Sequence, residues 1–209
     1  MQTLTKSSHA AKASQFKFMT EEEFSNFCDE DIRAEYIDGR VIVHSPASLK
    51  HVRMGAFVVS LIQFFVDKHK LGMVLGDNFQ VRLRPGLRRV PDLIFVSNDN
   101  PVKITETEID GAPDLVVEIV SPDSVGRDWR DKFFEYEKAN IKEYWIIDPN
   151  NKRCEIYCLN EKGKYQAQAV EKGMITSKVL SGFWLKVEWL WQEPLPNVLM
   201  VAKQLKIKI

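Results

Sequence analysis

The sequence predicts an α/β fold with a mixed β-sheet, in which a helix, three strands, a second helix and a further strand follow one another along the chain. Two apolar runs and the segment between them carry this prediction. Leu115 to Val120 has the profile of a strand buried on both faces, and Glu143 to Ile147 is a second short, largely apolar run. The segment between them has helical periodicity. A strand, a helix and a strand of this length indicate a right-handed crossover between parallel strands.

Length and charge limit the domain organisation and the class of function. The 209 residues fit one domain, and we assign residues 1–17 to a flexible arm, 18–193 to the domain and 194–209 to a C-terminal tail. The formal net charge of zero gives no global field that would attract nucleic acid or a membrane, although a local basic groove fits within a neutral total. Three cysteines without CxxC spacing, and no segment that reads as a leader or a membrane span, predict a reducing, cytoplasmic location.

The N-terminal third of the domain predicts a short helix, a hairpin and a long helix. Thr20 and Glu23 form a capping box that opens the first helix, and Asp38-Gly39 is a two-residue hairpin turn. The long helix runs from about Leu49 to Lys70. Its apolar stripe comprises Val52, Phe57, Leu61, Phe64 and Phe65.

The middle of the chain predicts the strands that flank the crossover. Alternating residues predict one strand from Val74 to Arg84, which Pro85-Gly86 ends, and Val90 to Val96 predicts the next. Asn98 to Gly111 is polar and predicts a surface loop. Beyond the crossover, additional antiparallel strands are predicted at Cys154–Leu159, Tyr165–Val170 and Val179–Val187.

Two acidic residues stand out as candidates for a site. Glu118 lies within a buried strand, where a carboxylate is costly unless a metal ion or a cation pairs with it. Asp92 begins its strand and Glu118 lies late in its own, so antiparallel pairing would bring the two carboxylates together, as a hard divalent cation requires. The alternatives are that Asp92 caps a turn and that Glu118 pairs with Arg82 or Arg84.

The position of Lys132 on the predicted crossover helix is also informative. Trp129, Phe133, Tyr136 and Asn140 define one face of the predicted helix, and Lys132 lies about 70° from the centre of that face, at its edge. It is therefore placed to reach inward. The alternative is an ordinary helix-surface ion pair with Asp128 or Glu135.

Two further residues have a less specific signal. Glu35, just before the hairpin turn, is either a solvent-facing strand residue or an added acidic group near the site. His51, in the first turn of the long helix, is either a surface or capping residue or an accessory group of the site.

Several motifs together resemble one family. They are Glu35-Tyr36-Ile37-Asp38-Gly39, Ser45-Pro46 with His51, Pro91-Asp92-Leu93, Glu118-Ile119-Val120-Ser121-Pro122, Lys132 with Tyr136, and Glu143-Tyr144-Trp145-Ile146-Ile147-Asp148-Pro149. With these motifs the chain resembles the Uma2 (DUF820) family, in the PD-(D/E)xK restriction-endonuclease-like superfamily, over roughly residues 20 to 190. The superfamily pattern has a lysine two residues after the glutamate, where this chain has Val120.

The resemblance implies an αβββαβ core and a Mg²⁺- or Mn²⁺-dependent endonuclease that acts on DNA as a homodimer. It implies that Asp92, Glu118 and the Ile119 carbonyl hold the metal, that Lys132 replaces the missing lysine, and that Glu35 assists catalysis. Phosphate contacts are predicted for Arg82, Arg84, Arg88 and Arg89. Two alternatives stay open: a catalytically weak or inactive nuclease-fold dimer that acts as an interaction or regulatory module, and a metal-dependent hydrolase with another substrate.

Overall fold

The architecture comes from a computed structural model, which describes residues 17–28, 32–76, 79–121 and 124–207. Residues 1–16 of the predicted arm lie outside these ranges, and Lys17 pairs with Val41 in a strand. The described residues form four α-helices: α1 (Glu21–Phe27), α2 (Leu49–His69), α3 (Lys132–Lys138) and α4 (Val198–Gln204). Their strands are β1 (Lys17–Phe18), β2 (Ala34–Ile37), β3 (Arg40–Val43), β4 (Gly72–Gly76), β5 (Gln80–Arg84), β6 (Leu87–Arg89), β7 (Leu93–Ser97), β8 (Lys103–Ile104), β9 (Glu108–Asp110), β10 (Leu115–Ile119), β11 (Glu143–Asp148), β12 (Arg153–Leu159), β13 (Tyr165–Ala167), β14 (Met174–Thr176) and β15 (Trp184–Lys186).

A six-stranded mixed sheet, in the order β13-β12-β11-β10-β7-β4, confirms the predicted centre of the fold. Strands β7 and β10 are antiparallel, with Leu93 opposite Val117. Strands β10 and β11 are parallel, with Glu118 opposite Ile146. Continuing the antiparallel register by one residue sets Asp92 opposite Glu118, as the sequence predicted.

The two faces of β10 are covered by different elements. Leu115, Val117 and Ile119 belong to the core that contains α2. Val116 and Val120 pack with Tyr136 of α3 in a second core. Because successive side chains of a strand point to opposite faces, Glu118 lies on the α3 side of the sheet.

Helix α2 agrees with its predicted bounds to within one residue, and the Ser48 hydroxyl caps it by accepting a hydrogen bond from the His51 backbone N–H. By length and composition alone the helix could cross a membrane. In the fold, its apolar side covers the central sheet, with Met54 and Leu61 in the main core. Val52, which the sequence assigned to the apolar stripe, is exposed, because it lies about 200° from Met54 around the helix.

A second sheet, in the order β1-β3-β2-β6-β5-β9-β8, corrects two predictions. The single strand predicted from Val74 to Arg84 is wrong: β4 pairs with β7 in the central sheet, whereas β5 pairs with β6 and β9 in the second. Apolar and polar residues alternate only from Phe79 to Arg84, whereas β4 contains the consecutive apolar residues Met73, Val74 and Leu75 and ends at Gly76, so the prediction extended the alternation too far back. The predicted loop 98–111 contains β8 and β9, which are too short to show a period in the sequence.

The predicted crossover helix is composite. A π-helical turn, Arg127–Asp131, precedes α3, and Tyr136 is buried while Trp129 and Phe133 are partly buried against the same core. Asn140 does not belong to this face: it lies beyond the helix with a φ of 62°, in the left-handed region.

The C-terminal region adds antiparallel strands and a helix. Strand β12 pairs with β11 and β13, while β14 and β15 form a separate two-stranded ribbon. Strands β13 and β15 are shorter than the predicted strands 165–170 and 179–187, and β14 was not predicted. Helix α4 belongs to the predicted tail, yet its Val201 and Ala202 are part of the main core with α2.

Candidate active site

Glu118 lies at the centre of a buried polar cluster between β10 and α3. Its Oε1 accepts a hydrogen bond of 2.7 Å from the Tyr136 hydroxyl and lies 2.8 Å from Lys132 Nζ. Lys132 is thus the cationic partner of Glu118, in place of the alternative partners Arg82 and Arg84. Both side chains are almost completely buried.

Lys132 begins α3, directly after the π-helical turn, and points inward as its place on the helix predicted. Its Nζ contacts three carboxylates: Glu118 at 2.8 Å, Glu35 at 3.2 Å and Asp128 at 3.2 Å. Burial alone would lower the pKa of Lys132, but the carboxylates, with Glu118 the strongest, hold that pKa above its usual value. Lys132 is therefore an ammonium group at neutral pH. The alternative ion pair with Asp128 is also present, as one part of this larger cluster.

Asp92 joins the central sheet to α2. Its Oδ2 accepts a hydrogen bond of 2.7 Å from the Ile119 backbone N–H, and its Oδ1 lies 3.0 Å from His51 Nε2 and 2.8 Å from Arg33. Burial opposes ionisation, yet His51, Arg33 and the Ile119 N–H together lower the pKa of Asp92 to about 2. Asp92 is thus an ionised carboxylate, and the alternative role as a turn cap does not fit these contacts.

Glu35 is completely buried, so the alternative of a solvent-facing strand residue is wrong. It forms an ion pair of 2.7 Å with Arg89 in addition to its contact with Lys132. Burial raises the pKa of Glu35, but Lys132 and Arg89 outweigh burial and hold it well below its usual value. Arg89 in turn donates two hydrogen bonds of 2.7 Å to the carboxylate of Glu135.

The charges around Glu118 do not balance. Within the described residues, five carboxylates of this network (Glu35, Asp92, Glu118, Asp128 and Glu135) form ion pairs with three permanent cations (Arg33, Arg89 and Lys132). Burial, followed by the repulsion from Asp128, Asp92 and Glu35, raises the pKa of Glu118 to about 8, although Lys132 opposes the rise. The site therefore has a deficit of positive charge.

This cluster forms the floor of a cavity of about 440 Å³ that opens to solvent. Its lining comprises Arg33, Ile42, Val43, His44, Ser45, Pro46, Ala47, Ser48, His51, Asp92, Glu118, Ile119, Ser121, Ser124, Arg127, Asp128 and Lys132. The structure thus brings Asp92, Glu118, Ile119, Lys132 and His51 to one cavity. Glu35 lies directly behind it, in contact with Lys132.

Four functional candidates in the lining were missed by sequence reasoning: Arg33, His44, Arg127 and Asp128. Asp128 was considered only as a partner of Lys132, although its spacing of four residues from Lys132 was a signal for a contact inside the site. Arg33 and His44 flank the hairpin and carry no local sequence signal. Their place in the site follows from the packing of the second sheet beside the first.

The four arginines predicted to bind phosphate do not line this cavity. Arg89 is buried against Glu35 and Glu135, which does not fit the predicted contact with a nucleic acid backbone. Arg82 and Arg88 both form ion pairs with Glu21, and Arg84 forms one with Asp38. Strands β5 and β6, which carry these arginines, lie in the second sheet, where acidic neighbours neutralise the side chains.

A divalent cation fits the chemistry of the donor set. In the described ranges, no group of three or more His, Cys, Asp or Glu side chains is arranged to hold a metal by itself. Mg²⁺, however, needs only one or two protein carboxylates and keeps several waters. Asp92 and Glu118 supply two, and the deficit of positive charge around Glu118 favours an added cation.

Comparison with family models gives a match to Uma2, described as "putative restriction endonuclease", over residues 21–188. The chain belongs to the Uma2 family. A crystal structure of a protein described as a putative nuclease belonging to DUF820, from Anabaena variabilis ATCC 29413, has a similar fold, with a TM-score of 0.69. The two sequences are 20% identical, and the match covers 83% of this chain and 97% of that chain, so this likeness concerns the fold. A comparison with curated proteins gives no match.

Membership of the Uma2 family confirms the resemblance and supports a nuclease-like function at a coarse level. The roles of the individual site residues stay predictions. The geometry does account for the departure at Val120, which is buried in the core shared with Tyr136. In this Uma2 chain the position two residues after the glutamate is occupied by an apolar side chain, and α3 supplies the ammonium group that contacts Glu118.

Proposed function

We propose that the chain is a Mg²⁺- or Mn²⁺-dependent endonuclease that hydrolyses phosphodiester bonds in DNA. The observation that carries the proposal is the convergence of Asp92, Glu118 and Lys132 on one solvent-open cavity. Membership of the Uma2 family supports a phosphodiester as the substrate class.

The protonation states suggest a role for each group. Lys132, an ammonium ion at neutral pH, is a hydrogen-bond donor and not a general base, so its role is to stabilise negative charge that develops on the phosphate. Asp92 is ionised and fixed by Ile119, His51 and Arg33, so it is a preorganised oxygen ligand. Glu35 keeps Lys132 charged from behind the cavity and does not itself line it.

The metal would be held by Asp92 and Glu118, with the Ile119 carbonyl as a third candidate ligand. A divalent cation in this position would supply positive charge to a phosphate oxygen and lower the pKa of a nearby water. The Tyr136 hydroxyl donates a hydrogen bond to Glu118 Oε1 and thereby fixes the orientation of this carboxyl group at the cavity floor.

The test is calorimetric titration of Mg²⁺ and Mn²⁺ into the wild type and into Glu118→Gln, with plasmid cleavage followed in the same buffers. Glutamine keeps the size of the side chain and removes its charge, so we expect metal binding and metal-dependent cleavage in the wild type and neither in the variant. Metal binding that is equally strong in Glu118→Gln would refute the assignment of Glu118. In a matched assay, Asp92→Ala should also abolish metal-dependent cleavage.

A second candidate function is a nuclease-fold interaction module without cleavage activity. The observation that favours it is the triple ion pair of Lys132, because a lysine whose contacts are all made within the protein also has a purely structural use. Absence of metal binding in the titration would favour this module. Homodimerisation and a cytoplasmic location stay predictions; sedimentation that gives only monomer at micromolar concentration would exclude the dimer.

A further inference from the structure

The cationic side chains that line the cavity differ in how their charges are used. Arg33 forms an ion pair with Asp92, and Lys132 is surrounded by carboxylates. Arg127 lines the same cavity but forms no ion pair with any residue in the described part of the chain. Its Nε is buried and has no hydrogen-bond partner among the residues that the structure describes.

The position of Arg127 results from the π-helical turn before α3. Arg127 is the first residue of this turn, and the turn places it beside Ser124 and Asp128 on the wall of the cavity. Arg130, three residues later, faces away: it borders a separate groove and forms an exposed ion pair with Asp131. The same short segment therefore presents one arginine to the site and one to the outer surface.

An unpaired buried N–H is unfavourable, and a ligand that supplies an acceptor would recover that lost hydrogen bond. The guanidinium fork fits two oxygens of a phosphate, and such a charge-assisted pair is strong. No carboxylate of the described residues lies within ion-pair distance of Arg127, so a ligand that pairs with this side chain has to bring its own anionic oxygens.

We propose that Arg127 binds a non-bridging phosphate oxygen of the substrate next to the reacting phosphodiester. This inference rests on the proposed function for the identity of the substrate, but the phosphate site itself does not require cleavage. It assigns the phosphate contact to the π-helical turn instead of to the arginines of β5 and β6.

Three variants separate geometry from charge. Arg127→Gln removes the charge and the fork, and Arg127→Lys keeps the charge without the fork. Arg130→Gln is the matched control, since it removes the same charge from the same turn but on the outer side. Within the described ranges Arg127 Nε makes no hydrogen bond, and the Arg130 ion pair is exposed, so all three variants should keep the thermal midpoint of the wild type.

The first arm measures binding of a short duplex DNA in EDTA, where cleavage cannot proceed, over a range of salt concentrations. We expect Arg127→Gln to weaken binding by about tenfold and to reduce the slope of log K against log salt by about 0.9, the value for one lost phosphate contact. Arg127→Lys should keep most of the slope but lose affinity. Arg130→Gln should change neither quantity.

The second arm titrates inorganic phosphate and follows the arginine Nε–H signals by NMR. We expect phosphate to shift the Arg127 signal, which Arg127→Lys lacks, and to leave the Arg130 signal in place. This arm needs neither metal nor cleavage.

The outcomes separate the two proposals. If the wild type cuts DNA while Arg127→Gln binds it with the parent affinity and salt slope, the role of Arg127 is overturned and the nuclease proposal stands. Equal losses in Arg127→Gln and Arg130→Gln would indicate unspecific charge attraction and would also overturn it. If the wild type neither binds nor cuts DNA but phosphate shifts the Arg127 signal selectively, the phosphate site is supported and DNA is the wrong substrate.

Discussion

The burial of Lys132 and Glu118 carries a large desolvation free energy, which can be followed at the level of single residues. Desolvating ionised groups costs several kcal/mol each, and only close partners compensate that cost. Lys132 compensates three carboxylates at once, and Glu118 still has a raised pKa. The cluster is therefore stabilised chiefly by one ammonium group, and it retains a deficit of positive charge that is useful to a cation-binding site.

Replacing Lys132 by methionine should destabilise the protein strongly. The change leaves Glu35, Glu118 and Asp128 buried without their shared cation, and breaking a buried pair in this way costs about 3–5 kcal/mol. Urea denaturation at pH 7 measures the loss. Lys138→Met, an exposed position of the same helix, should stay within about 0.5 kcal/mol of the wild type. Equal stability of the two variants would contradict this account.

Glu118 should also shape the dependence of stability on pH. Its pKa is about 8 in the folded protein against 4.5 as an ordinary value, so between these values the folded state holds a proton that the unfolded state has lost. The contribution of Glu118 to the free energy of unfolding is therefore fully present below pH 4.5, and it is lost as the pH rises to about 8. Glu118→Gln cannot titrate, so its stability relative to the wild type should increase from pH 5 to pH 8. Parallel stability curves for the two proteins over this range would refute the assignment.

Asp92 acts in the opposite direction at acid pH. Its pKa of about 2, against 3.8 as an ordinary value, means that its contribution is present above pH 4 and is lost as the pH falls toward 2. The difference corresponds to about 2 kcal/mol of the free energy of unfolding. The two carboxyl groups of one site thus limit stability from opposite ends of the pH scale.

At the level of elements, local patterns predicted what depends on local chemistry. The capping box at Thr20 and the Asp38-Gly39 turn were found as predicted, because both are defined by a few consecutive residues. The buried strand β10 and the parallel crossover to β11 were also predicted. The division of Val74–Arg84 between two sheets was not, because the alternation from Phe79 to Arg84 was extended back to Val74 across Gly76, where β4 ends.

Two glycines in α2 and β4 should respond oppositely to alanine. A Cβ on Gly55, within α2, would lie 3.6 Å from Ile119 Cδ1, an ordinary contact, so Gly55→Ala should stabilise the protein by about 0.5–1 kcal/mol through helix propensity. A Cβ on Gly72 would lie 2.1 Å from the Val96 carbonyl oxygen, so Gly72→Ala should destabilise it by at least about 1–3 kcal/mol as β4 is forced from β7. Thermal unfolding distinguishes the two. A stabilised Gly72→Ala protein would show that the pairing of β4 with β7 is not as close as described.

At the scale of the whole molecule, the site residues that could be predicted lie on or next to the crossover from β10 through α3 to β11. Asp92 and Glu118 were found from strand order and register, and Lys132 from the family resemblance together with its place at the edge of the helix face. Arg33 and Arg127 were not, because their place depends on how the second sheet and the π-helical turn meet the first sheet. Because of the same tertiary packing, four arginines lie outside the cavity and each pairs with an acidic residue: Arg82, Arg84, Arg88 and Arg89.

The C-terminal tail, residues 194–209, should be essential to the whole fold, although the sequence analysis placed it outside the domain. Val201, Leu205 and Ile207 are buried in the main core, and each such side chain contributes roughly 1.5–3 kcal/mol. Deleting residues 198–209 would remove an amount comparable to the total stability of a typical domain, about 5–15 kcal/mol, and would expose the outer side of α2. We expect the truncated protein to lose its cooperative thermal transition and to aggregate, whereas deletion of residues 1–16 of the predicted arm 1–17 should leave the transition in place. If the C-terminal deletion gives a monodisperse protein with the parent melting temperature, this prediction is wrong. The core formed by α2 and the central sheet would then be stable without α4.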